Sequence, residues 1–115
     1  MPMKKKEIRV RCWITVNGEK HFGPGPAELL ERIQSSGSIA KAAAEMRMSY
    51  KKAWDIIENM NARGSKPYVI ARKGGKKGGG TEVTAPGKKV LKSYESLKRR
   101  IQEVVRKERA LLKLI

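Results

Sequence analysis

The chain has 115 residues, of which 33% are charged, 39% hydrophobic and only 5% aromatic, so it fits one domain with a modest core and leaves no room for a second. Its 27 Lys and Arg outnumber 11 Asp and Glu, and the resulting charge of +16 favours a polyanionic partner, nucleic acid first. No apolar run reaches the roughly 20 residues that span a bilayer, no signal core follows residues 1–6, and one cysteine with one histidine excludes an intrachain disulfide and a usual structural zinc site, which points to a cytoplasmic protein without metal or cofactor.

Ile8, Val10, Cys12, Ile14 and Val16 alternate with Arg9, Arg11, Trp13 and Thr15, which predicts a strand over residues 8–16 with one buried face. Asn17-Gly18 is a hairpin turn, residues 19–22 return as a second strand, and Cys12 and His21 read as core and hairpin residues. Gly23-Pro24-Gly25-Pro26 is expected to interrupt regular structure. A helix with Ala27, Leu29, Leu30 and Ile33 on its apolar face then ends at Ser35-Ser36-Gly37.

Residues 37–61 read as two helices joined by a very short turn. Ser38 caps the first, where Ile39, Ala42, Ala43 and Met46 recur at helical spacing. Arg47 and Met48 break it, and Ser49 caps the second, whose Ala53, Ile56, Ile57 and Met60 share a face. The small side chains of Ala42, Ala43 and Ala44 let the two helices cross closely. A trihelical core of Leu29, Leu30, Ile33, Ile39, Ala43, Met46, Met48, Ala53, Trp54, Ile57 and Met60 follows. This is a helix-turn-helix pattern, in which Ser49, Tyr50, Lys51, Lys52 and Asp55 lie at or near the exposed start of a recognition helix and Lys51 and Lys52 can reach base edges. Ser38 and Lys41, at the start of the unit, are assigned to DNA as well. An ordinary helical hairpin with a solvated lysine face is the alternative.

Residues 68–72 and 81–84 read as short strands flanking a loop of glycines and lysines. The loop lacks Gly-Lys-Ser/Thr and runs into a strand, which excludes a nucleotide-binding loop. As a hairpin tip its glycines let the backbone approach a sugar-phosphate surface while Arg72, Lys73, Lys76 and Lys77 neutralise phosphates. A flexible solubilising loop is the alternative. Thr84 then caps a final helix with Pro86 in its first turn. Val90, Tyr94, Leu97, Ile101, Val104, Leu111 and Ile115 follow a four-three alternation broken only by Glu108, which predicts a dimerisation seam, with packing against the strand pair as the alternative.

The stretch from Gly37-Ser38-Ile39 through Ser49-Tyr50-Lys51-Lys52-Ala53-Trp54-Asp55 to Met60-Asn61, with the loop Gly74-Gly75-Lys76-Lys77-Gly78-Gly79-Gly80 followed by Val83-Thr84 and Gly87, resembles the DNA-binding domain of the molybdate-responsive ModE regulators. The resemblance covers about residues 26–105. It implies an α+β winged helix-turn-helix with an N-terminal β-hairpin over residues 1–84 and a long linking and dimerisation helix over residues 85–115. It also implies a homodimer on double-stranded DNA, with Ser49, Tyr50, Lys51 and Lys52 at the DNA and the wing on the backbone. No molybdate-binding domain follows the last helix, so specific molybdate or tungstate binding is not expected. The rival reading is an architectural DNA- or RNA-binding protein. No histidine cluster, metal-ligand spacing or nucleophile motif supports an enzyme.

Overall fold

A computed structural model describes residues 4–75 and 78–115. In chain order the elements are β1 (Ile14–Val16), β2 (Glu19–Phe22), α1 (Pro24–Ser36), α2 (Ile39–Glu45), α3 (Tyr50–Arg63), β3 (Val69–Gly75), β4 (Gly78–Val83), α4 (Ala85–Arg106) and α5 (Arg109–Lys113). The strands form two separate antiparallel hairpins, β1–β2 and β3–β4, beside the helices, so the class is α+β.

Local chemistry sets most boundaries. Ser38 Oγ accepts the Lys41 N–H, Ser49 Oγ the Lys52 N–H, and Thr84 Oγ1 the Gly87 N–H, so the N-termini of α2, α3 and α4 are each capped as expected. Gly37, at φ 70°, closes α1 in the left-handed conformation that a Cβ disfavours. The turn after α2 uses the same device with a larger residue. Arg47 has φ 56°, its N–H reaches the Ala44 carbonyl, and the Met48 N–H reaches the Ala43 carbonyl, which closes the helix in a single left-handed step.

Three boundaries differ from expectation. Pro24 and Pro26 lie in the first turn of α1 and do not interrupt it, because the first backbone N–H groups of a helix have no intrahelical partner and a proline there loses no bond. Strand β1 is only Ile14–Val16, and among the described residues no strand pairs with the alternating residues before it. Val10 and Ile14 are consequently exposed while Ile8, Cys12 and Val16 are half-buried. The last helix ends at Arg106, and after Lys107 and Glu108 the chain restarts as the short α5. The glycine-rich segment also pairs further than its composition suggests, with Arg72 opposite Gly80 and Gly75 opposite Gly78.

One core joins these pieces. Leu29, Leu30 and Ile33 from α1 and Ala53, Ile57 and Met60 from α3 are buried, together with Ile39, Ala42 and Ala43 from α2. Met46, Met48 and Trp54, expected inside, are only partly buried against it. Phe22, Tyr68, Val69, Val83, Leu91 and Tyr94 complete the core, with the Phe22 and Tyr94 rings edge-to-face at 5.1 Å. His21 is buried beside them and hydrogen-bonds Tyr68 Oη through Nε2 at 2.9 Å; burial, reinforced by the nearby Arg63 guanidinium, lowers its pKa.

Gly87 is the glycine that backbone approaches most closely, since a Cβ there would lie 2.6 Å from the Tyr68 carbonyl oxygen and 2.9 Å from Val83 Cγ1. Backbone cannot move aside as a flexible side chain can. Gly87→Ala should therefore destabilise the fold by about 1–3 kcal/mol in urea unfolding. Gly25→Ala, where a Cβ meets nothing within 4 Å, should be neutral or slightly stabilising.

Candidate nucleic-acid interface

The exposed N-terminal turn of α3 begins one residue after its cap. Tyr50 is 53% exposed and packs edge-to-face on Trp54, with ring centroids 6.2 Å apart. Trp54, placed in the expected core, thus divides its surface between that core and this ring. Lys51 and Lys52 are exposed. Lys51 Nζ lies 3.9 Å from Asp55 Oδ2, with side chains 88% and 58% exposed. An ion pair so open to solvent is weak, and its lysine is free to exchange the carboxylate for a phosphate or a base edge.

Ser38 is held at the start of α2 by its own cap bond, and Lys41 is exposed on the first turn. Arg72 projects from β3, 3.6 Å from Glu82 across the hairpin. Lys73 belongs to β3, and Lys76 and Lys77 lie outside the described residues. A single cleft of about 370 Å³ is lined by Ser38 and Ala40 of the α2 start, Tyr50 and Trp54 of α3, and Arg72 and Thr81 of the β3–β4 hairpin. Chain segments more than 30 residues apart in sequence thus meet on one concave surface.

Two sets of bonds hold the hairpin to the helices, and sequence reasoning missed both. Asn61, near the end of α3, accepts the Tyr68 N–H at 2.8 Å and the Val69 N–H at 3.3 Å on Oδ1, and donates from Nδ2 to the Val69 carbonyl at 3.0 Å. The Thr81 N–H donates to the Gly37 carbonyl at 3.0 Å, tying β4 to the turn before α2. Of the proposed seam positions, Tyr94 is buried inside this chain, where its hydroxyl donates to the Cys12 carbonyl at 2.9 Å. Val90, Leu97 and Ile101 are half-buried, while Val104 and Leu111 are 64% and 49% exposed. Among the described residues no group of His, Cys, Asp and Glu could hold a metal ion, and no helix is long and apolar enough to cross a membrane.

No family model matches the chain. Over 97 residues it is 42% identical to the transcriptional regulator ModE of Haemophilus influenzae, a match covering 84% of this chain and 37% of that protein. Over that stretch the chain is similar to a ModE protein. It is 44% identical over 69 residues to the molybdenum transport protein ModE of Azotobacter vinelandii, covering 60% of this chain and 26% of that protein. With the DNA-binding transcriptional dual regulator ModE of Escherichia coli K12 it shares 39% identity over 74 residues, 64% of this chain and 28% of that protein. The chain therefore spans between about a quarter and two fifths of the length of these curated relatives.

Asn61→Ala removes all three bonds to residues 68 and 69 and leaves half-buried backbone groups unpaired. The expected loss is about 2 kcal/mol of stability. Hydrogen exchange should quicken at the Tyr68 and Val69 amides more than at the buried turns of α1. Uniform acceleration would mean that Asn61 supports the whole core and not the hairpin.

Proposed function

We propose that the chain is a ModE-like transcriptional regulator that binds double-stranded DNA sequence-specifically as a homodimer. In this reading residues 1–84 form the N-terminal hairpin and a winged helix-turn-helix, with α2–α3 as its helix pair and β3–β4 as its wing, and residues 85–115 link and dimerise. The observation that carries it is the cleft shared by Ser38, Tyr50 and Arg72, because a duplex laid on that surface meets the start of both helices and the hairpin together. The names of the relatives support it, since several are called transcriptional regulators and one a DNA-binding regulator.

With α3 in the major groove, Lys51 and Lys52 reach guanine O6 and N7 from its first turn, while Ser49 and Tyr50 lie at its rim. Asp55 holds Lys51 in the free protein and releases it to the DNA. Ser38 and Lys41 meet the backbone at the start of α2, and Arg72, Lys73, Lys76 and Lys77 meet it along the wing, fixing register without reading sequence. Val104 and Leu111 continue an apolar stripe beyond the body of the chain, where a second copy would cover it. A two-fold pair of such units fits an inverted repeat.

Two substitutions separate this reading from the architectural one. Lys51→Ala should lower the preference for a selected site over scrambled DNA by about tenfold. Arg72→Ala should weaken binding to every duplex alike and reduce the slope of log affinity against log salt by about one. Equal losses on all sequences from both variants, measured by fluorescence anisotropy over a salt series, would favour non-specific binding by shape and charge.

A further inference from the structure

The net charge does not lie mainly where the proposed reading surface is. Residues 14–84, which hold both hairpins and α1–α3, carry 12 cations and seven carboxylates, so only +5 of the +16 is theirs. The remaining +11 is on the N-terminal segment and on α4 and α5. Over residues 85–100 there are six cations and a single carboxylate, Glu95. Lys88, Lys89, Lys92, Arg99 and Arg100 are exposed, and among the described residues none of them forms an ion pair.

A merely solvated helix face would interleave carboxylates at i+3 or i+4, where they stabilise, and like charges at those spacings destabilise. Lys92 meets Lys88 and Lys89 at those spacings with no carboxylate among them, while Glu95 and Glu103, three or four residues from Lys92, Arg99 and Arg100, offset only part of the charge that follows. At about 1.5 Å per residue, residues 88–100 extend roughly 18 Å, along which a parallel duplex presents about ten phosphates. At 100° per residue Lys92 and Arg99 lie about 80° or more from Leu91, Tyr94 and the Leu97, Ile101 and Val104 stripe, whereas Lys89 and Arg100 flank it beside Val104, so self-association through that stripe leaves Lys92 and Arg99 open. At the lower end Lys88 lines a small cleft with Arg72 and Glu82, so the cationic path starts at the base of the β3–β4 hairpin.

We propose that this outer face of α4 is a second duplex-DNA surface, which holds the phosphate backbone of a segment other than the one read by α3, without regard to its sequence. It rests on the DNA-binding reading above. An acidic lipid surface fits less well, because among the large exposed apolar side chains of α4 only Val104 borders this face, too little apolar surface to enter a bilayer.

The test is capture of two duplexes at once. A duplex selected for tight binding is immobilised, the full chain is added, and a short fluorescent duplex of unrelated sequence follows. The wild-type chain should retain the fluorescent duplex. Lys89→Ala/Lys92→Ala/Arg99→Ala, all exposed positions, should retain about tenfold less while holding the immobilised duplex within about twofold. Equal retention by both proteins, or none by a wild-type chain that binds the immobilised duplex, overturns the second surface and leaves the regulator reading standing. Failure of the wild-type chain to bind any duplex overturns both. Loss of vesicle binding in place of duplex capture, in a parallel run with phosphatidylserine vesicles, would assign the face to lipid and overturn the proposal.

Discussion

The clasp of Asn61 on the backbone of residues 68 and 69 is the constraint on which the arrangement of the candidate surface depends. Helix α3 and the β3–β4 hairpin are separate elements, and a hairpin of two short strands has little stability of its own. One amide side chain satisfies three backbone groups, so the hairpin leaves α3 in a defined direction. Thr81 closes the other side by donating to Gly37, and Gly87 lets α4 lie directly on Tyr68 and Val83. Without these joints the cleft that brings Ser38, Tyr50 and Arg72 together would have one wall.

The same joints divide the molecule energetically. Aromatic and aliphatic burial is concentrated around Phe22, Leu29, Leu30, Ile33, Ile57 and Met60, each almost without exposed surface. Little of that burial comes from α4 beyond Tyr94. The latter half of α4 carries cations with few neighbours, and its self-repulsion is tolerated because the core elsewhere supplies the stability. Apart from the Arg106–Glu103 pair, the charge there makes no ion pair among the described residues, which is the physical reason to look for an anionic partner along it.

Elements whose signals are local were legible in the sequence. The caps of Ser38, Ser49 and Thr84, the Asn17-Gly18 turn and the apolar spacing of α1 to α3 depend on neighbours within a few residues. What was not legible depends on distant partners. Alternation over residues 8–16 specifies an extended chain with two faces, but not a strand to pair with, and only Ile14–Val16 finds one. Glycines 75, 78 and 80 read as loop, yet they sit in a ladder anchored from outside by Asn61 and Gly37. Tyr94 falls on the seam by spacing and in the core by contact with Phe22. The helix break at Lys107 and Glu108 occurs at the one polar residue of the repeat. The surface residues at the start of α3 were legible by periodicity, whereas the cleft joining them to Arg72 was not.

Selection of bound duplexes from a random DNA pool, followed by the affinity of the winners and of scrambled controls across a salt series, tests the central claim most directly. If α3 reads bases from a two-fold assembly, the pool converges on an inverted repeat whose advantage over scrambled DNA persists as salt rises. If the pool shows no enriched motif and every duplex follows one steep salt dependence, the surface binds charge and shape alone, and the account of α3 as a reading helix is wrong.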